Sequence, residues 1–222
     1  MSAHETSAPK ASARDTILAA IRAALPADPP AAIAAEAAAL LDDPDSIRPR
    51  LAGETLTAAF EAKASVLGTT IDRVPALADI PEALRRYMET HGLGPRFALQ
   101  PVPELAALDW SGLEPHDGIA SDEAVALGEA LYGIAESSSL VIHSGPDAPI
   151  LLSFLPLHHV VMLRQRTLLP YMEDYAARLS TQAIPRNAIL ITGPSGTTDI
   201  EGSYVRGAHG PGFLHVILVE GA

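Results

Sequence analysis

The last stretch of the chain reads AILITGPSGTTDIEGSYVRGAHGPGFLHVILVEG (Ala188–Gly221), two continuously apolar runs around a loop rich in Gly, Ser and Thr. A strand with one wet face alternates polar and apolar residues. Runs such as AILI and HVILV do not alternate, which is the pattern of strands covered on both faces. SLVI (139–142) and VVML (160–163) read the same way. Helical segments fall between several of these runs, and that alternation predicts an α/β domain with a mainly parallel sheet. The last two runs lie too close together for a full helical crossover, so an antiparallel or irregular edge is expected of them.

Upstream, Ser12 opens an S-x-x-D box with Asp15, and Ile17, Leu18, Ile21 and Leu25 share one helical face. An Ala-rich piece, 31–41, follows as a second helical candidate, and DDPDSIRPR (42–50) is a Pro- and Asp-rich connector. Residues 1–50 are therefore expected to form a helical arm and connector, and 51–222 the α/β domain. Within that domain, Leu56, Phe60 and Ala64 are at helical spacing, TTIDRV (69–74) has strand character, and DIPEALRRYMETHG (79–92) carries Pro early and Gly after its end, as helices do. RFALQ (96–100) and HHVVMLR (158–164) read as strands, LLPYMEDYAARL (168–179) as a helix, and 124–135 as a mixed segment.

Composition excludes several function classes. Of 222 residues, 15 are Lys or Arg and 27 Asp or Glu, a net charge of −12 with no basic cluster, which disfavours nucleic acid and anionic membrane surfaces as partners. Cysteine is absent, so the chain offers no disulfide, no thiolate nucleophile and no thiolate ligand for an iron–sulfur cluster. No apolar run reaches membrane-spanning length and the N-terminus has no apolar signal core, so a cytoplasmic protein is expected.

The loop Gly193–Asp199 follows an apolar run, where open α/β sheets commonly bind ligands. Ser195, Thr197 and Thr198 bring hydroxyls and Gly196 a backbone N–H to a phosphate or carboxylate. The loop is neither a Walker loop nor G-x-G-x-x-G, and a plain structural turn explains it equally well. Asp199, Glu201, His209 and His215 are of metal-ligating type, but their spacing matches no zinc signature, and no metal is expected. His209, between Gly207 and Gly210, is the better functional histidine; His215 lies within a strand and suits the core. Glu136, entering a buried strand, has the chemistry of an acid, base or nucleophile, or of a simple cap. His158 and His159 are adjacent on a strand and must point to opposite faces. Around Ser153 there is no G-x-S-x-G, so no serine hydrolase is indicated.

GIAESSSLVI (Gly133–Ile142), LLSFLPLHHVVML (Leu151–Leu163), ILITGPSGTTDIE (Ile189–Glu201) and VRGAHGPGFLHVILV (Val205–Val219) together resemble the LUD domain family, and within it the branch that serves lactate utilization. The segment from Leu51 to Asp109 follows the resemblance more loosely. The resemblance implies a Rossmann-like sheet of the sugar-phosphate isomerase and coenzyme A transferase type. It implies a part in oxidising L-lactate to pyruvate, beside a cysteine-rich and an iron–sulfur partner subunit that carry the clusters, with no cofactor held by this chain. It points to a small-anion pocket built from Glu136, Ser137, Ser139, Gly193, Ser195, Gly196, Thr197, Asp199, Glu201 and His209. Two departures stand out: the family reads Glu-Thr-Gly-Thr at 136–139, and Arg at 196. The Arg is the natural anchor of a carboxylate or phosphate, and Arg206 and Arg164 are the cations that could replace it. A carboxylate sensor or scaffold, or a stand-alone transferase using Glu136 as nucleophile, are the rival readings.

Overall fold

The computed structural model describes residues 12–25, 29–198 and 200–221. Asp199, expected in the anion pocket, lies outside them. The chain divides into two compact units, Met1–Pro49 and Arg50–Ala222. The first holds α1 (Ala13–Ala24), capped by the Ser12 hydroxyl, which accepts from the Asp15 N–H, and α2 (Pro30–Asp42). Neither helix buries a residue.

The second unit runs α3 (Leu56–Val66), β1 (Thr70–Val74), α4 (Ile80–Thr90), β2 (Arg96–Leu99), α5 (Pro103–Ala106), β3 (Glu114–His116), β4 (Val125–Ala130), β5 (Tyr132–Ile134), β6 (Ser139–His143), β7 (His158–Arg164), β8 (Leu168–Leu169), α6 (Met172–Leu179), β9 (Ala188–Ile191), β10 (Gly196–Thr198), β11 (Tyr204–Arg206) and β12 (Phe213–Val219). Six strands form one sheet in the order β1-β12-β7-β4-β2-β3, and every neighbouring pair is parallel. β8-β5-β6-β9 make a second, mixed sheet, and β10-β11 a separate hairpin.

The apolar runs explain the layering. One face of the parallel sheet carries Val160, Met162, Ile217 and Val219 against Leu84 and Met88 of α4. The other carries Val161, Leu163, Val216 and Leu218 against Phe60 of α3 and Leu140 and Ile142 of the second sheet. With both faces covered, β7 and β12 have no polar side to show, and each such side chain stabilises by roughly 1.5–3 kcal/mol on burial.

Two expectations are corrected. The last two apolar runs do not form an edge together. β9 pairs antiparallel with β6 in the second sheet, whereas β12 enters the parallel sheet between β1 and β7. The long segment between them, with its own hairpin, lets the chain change sheets, so no helical crossover is required. β9 also alternates exposed and half-buried positions, so AILI is not covered on both faces. The segment 124–135 resolves into β4 and β5.

β5 and β6 are joined by a tight turn in which Ser138 has φ 54°, the one non-glycine residue with positive φ among those described. Ser138 is 3% exposed and its hydroxyl has no partner. The left-handed conformation costs an L-residue roughly 1–2 kcal/mol, and an unmet buried hydroxyl adds to that. Ser138→Gly is therefore expected to stabilise the protein by about 1 kcal/mol after the added freedom of the unfolded chain is subtracted, raising Tm by about 2–4 °C. An unchanged or lower Tm in a thermal melt would contradict this account of the turn.

Candidate functional site

The loop from Gly193 to Gly212 is pinned by backbone bonds: the Ser195 N–H donates to the Pro211 carbonyl at 2.8 Å, and the Gly207 N–H to the Ser195 carbonyl at 2.9 Å. Gly193 takes φ +81°, and a Cβ there would come within 3.2 Å of Leu67 Cβ, so this turn favours glycine on both counts. Folded this way, the loop brings Gly193, Ser195, His209 and Gly210 to one wall of a cavity of about 190 Å³. Ser153, Phe154, Ile189, Ile191 and Leu214 also line it. Among the described residues the lining holds two serine hydroxyls and one imidazole amid apolar side chains, with no Lys, Arg, Asp or Glu. Such a surface can hydrogen-bond the polar end of a small molecule and cover its hydrocarbon part. His209, Gly210 and Phe154 also line a wider neighbouring groove of about 600 Å³, which includes Asp122 and Glu123.

The other expected residues are placed elsewhere. Ser137 and Ser139 hydroxyls are 2.7 Å apart, and Ser139 reaches Thr192 at 2.6 Å, a hydroxyl chain that ties the β5–β6 turn to the end of β9 beside the pocket wall. Glu136 accepts the Met172 N–H at 2.8 Å, which caps the first turn of α6. Gly196 and Thr197 belong to the β10–β11 hairpin. A Cβ at 196 would lie 2.1 Å from the Tyr204 phenol oxygen, so Tyr204 occupies the space from which a side chain at 196 would emerge. Glu201 is exposed in the turn that joins the two strands of that hairpin.

Neither candidate replacement for the missing cation lines the cavity. Arg164, at the carboxyl end of β7, is buried and paired with Glu129 and Glu104. β12 enters the sheet from the loop at the opposite end, and its register puts Phe213 beside His158 but Val219 beside Arg164. Six residues at about 3.3 Å each separate the two ends. Arg206 stays near the loop, its guanidinium 4.7 Å from the Phe213 ring centroid.

His158 and His159 do face opposite ways. His158 shares a 2.9 Å hydrogen bond with the Tyr87 hydroxyl, while His159 is fully buried on the other face beside Gly128, with both ring nitrogens unpartnered. Burial pushes His158, His159 and His215 down to about 4; Asp72 opposes the effect at His215, and the neighbouring His91 adds to it at His158 and His215. His215 is only half satisfied: Nδ1 meets Thr70 Oγ1 at 2.7 Å and Nε2 meets nothing. Among the described residues no three His, Asp or Glu side chains converge as a metal site, and no helix is long and apolar enough to cross a membrane.

Sequence reasoning missed Ser153 and Leu214 as pocket residues and Tyr87, His91 and Thr70 as neighbours of the strand histidines. The alternation of β12, with Leu214 and His215 on opposite faces, was the signal that separates the two groups.

Comparisons with known proteins bear on the family and the fold. Residues 119–219 match the LUD domain family model. The protein named lactate utilization protein C of Geobacillus sp. (strain WCH70) is 30% identical over 165 residues, covering 64% of this chain and 68% of that one. Lactate utilization protein C of Anoxybacillus flavithermus is 29% identical over 147 residues, 60% and 67% of the two chains. The uncharacterized protein YkgG of Escherichia coli K12 is 32% identical over 124 residues, 53% of this chain and 54% of YkgG. The chain thus spans about half the length of YkgG and about two thirds of the other two. A crystal structure of a DUF162 family protein from Deinococcus radiodurans superposes with a TM-score of 0.55 at 19% identity, over 74% of this chain and 96% of that one, a likeness of fold.

Proposed function

The chain belongs to the LUD domain family, and on that premise we propose that it serves lactate utilization as a subunit without an iron–sulfur cluster of its own, holding lactate or pyruvate in the loop cavity. The observation that carries this reading is the 190 Å³ cavity with Ser153, Ser195 and His209 in its wall. At roughly 30 Å³ per water the space equals about six waters, the scale of a three-carbon acid. In this reading the hydroxyls and imidazole hold the carboxylate and α-oxygen, and Phe154, Ile191 and Leu214 cover the methyl group. Oxidising lactate to pyruvate releases two protons and two electrons. A chain with no cysteine supplies no thiolate to hold a cluster for those electrons, so they pass to cysteine-rich and iron–sulfur partner subunits, in a cytoplasmic setting. The bond from Met172 to Glu136 gives that carboxylate a structural task, and fold analogy is the one support of the transferase reading.

The test is thermal melting with L-lactate, pyruvate and phosphate, beside capture from lactate-grown cells with iron measured in the eluate. Saturating lactate or pyruvate, at 100 times Kd, is expected to stabilise the protein by about 2.7 kcal/mol. Ser195→Ala and His209→Ala are expected to remove most of that shift. A melt that neither acid moves would overturn the pocket, and an iron-free eluate would overturn the partnership.

A further inference from the structure

On the α4 face, the amino ends of neighbouring parallel strands bring aromatic rings together. Phe213 of β12 stacks on His158 of β7 with centroids 4.3 Å apart and planes 4° from parallel. Tyr87 of α4 stacks on His215 at 4.3 Å and 25°. His91, just past the end of α4, touches the group at 4.4 Å from Tyr87, 5.1 Å from His158 and 5.7 Å from Phe213. Beside the rings is a cavity of about 360 Å³ lined by Thr70, Asp72, Arg86, Tyr87, His91 and His215. Arg86 is engaged by Asp72 at 2.6 Å. Arg206, outside that lining, lies on Phe213, is close enough to Tyr87 to act on it electrostatically, and pairs with no acid among the described residues.

We propose that this cluster is a binding site for a flat, conjugated carboxylate, whose carboxyl group pairs with Arg206 and whose ring stacks among Tyr87, His91 and His215. The guanidinium is a planar fork that matches a carboxylate and is stable on an aromatic face. Tyr87, His91 and His215 line the cavity and give it aromatic surface for a flat partner, and the buried Nε2 of His215 has a hydrogen bond still to make. Because burial keeps His158 and His215 neutral near pH 7, the attracting charge is that of Arg206. A phosphate would use the same fork but gain nothing from the rings. The site is separate from the loop cavity, since β12 turns Leu214 toward one and His215 toward the other.

Histidine ring resonances of the full chain, followed by NMR during titration with benzoate, test the proposal. Cyclohexanecarboxylate, benzyl alcohol and inorganic phosphate serve as parallel probes. Benzoate is expected to shift the His91 and His215 signals saturably and to bind at least about tenfold more tightly than any of the other three. Arg206→Met, at an exposed hairpin position, is expected to weaken benzoate by about tenfold or more while leaving the unliganded spectrum in place; Ser195→Ala is expected to leave the benzoate affinity unchanged. The proposal fails if His91 and His215 do not move, if a control probe binds as well as benzoate, or if Arg206→Met binds like the parent.

Discussion

Lowering the pH from 7.5 to 5 is expected to remove about 2 kcal/mol of stability through His159 alone. His159 is 0% exposed and titrates near 4 because burial disfavours its imidazolium. An unfolded histidine titrates near 6.5. Between those values the unfolded chain binds the proton that the folded chain refuses, so acid favours unfolding. The stability is fully present above about pH 6.5 and falls as the pH drops toward 4, to a loss of about 3 kcal/mol at one pKa unit per 1.36 kcal/mol. His158 and His215 are lowered in the same direction and steepen the decline. His159→Leu removes the titrating group and two unpartnered ring nitrogens. In urea titrations with equal m-values, the variant should gain about 2 kcal/mol on the parent between pH 7.5 and pH 5. Parallel pH profiles for the two proteins would exclude His159 as the cause.

The second large effect concerns the carboxyl edge of the parallel sheet. Arg164 is 8% exposed and holds Glu129, whose side chain is 14% exposed, together with the solvated Glu104. Removing the cation leaves Glu129 charged, largely out of water and without a counter-ion. Arg164→Leu is expected to cost about 3–5 kcal/mol at pH 7, the usual penalty for one half of a buried pair. Glu129→Gln combined with Arg164→Leu should recover most of it, since the uncompensated charge is then gone. Urea midpoints of the two single variants and the double variant measure the coupling. A double variant no more stable than Arg164→Leu would mean that lost packing by the arginine stem, not the stranded carboxylate, is responsible.

Much of the fold was legible because burial on both faces leaves a direct mark on composition. HHVVMLR and FLHVILV could not sit at a wet surface, and they are the adjacent central strands β7 and β12. SLVIH and AILI carry the same mark, yet they pair antiparallel with each other in a second, mixed sheet, and AILI alternates exposed and half-buried positions. A short apolar run does not name its sheet or its neighbours, nor how many of its faces they cover. At the candidate site, residue type and loop position identified Gly193, Ser195 and His209, which line one cavity. Position could not show that Tyr204 fills the space above Gly196, that Arg164 is held at the far end of the strand, or that Glu136 caps α6.

By itself, then, the sequence determined the α/β class, the faces on which adjacent strand residues stand, the family, and the inability of this chain to supply cysteine ligands. These follow from local periodicity, motif order and chemical type, and each can be read without knowing what lies across space. Only the tertiary structure decided which groups meet. Thr70 reaches His215 across 145 residues of chain, Tyr87 reaches His158 across 71, and Arg206 comes to rest on Phe213. Contacts of that kind depend on strand order and register, which bring distant residues to one sheet edge. Burial then sets their proton affinities: imidazoles near 6.5 in an open chain are held near 4 because the folded interior withholds the water that a charge needs.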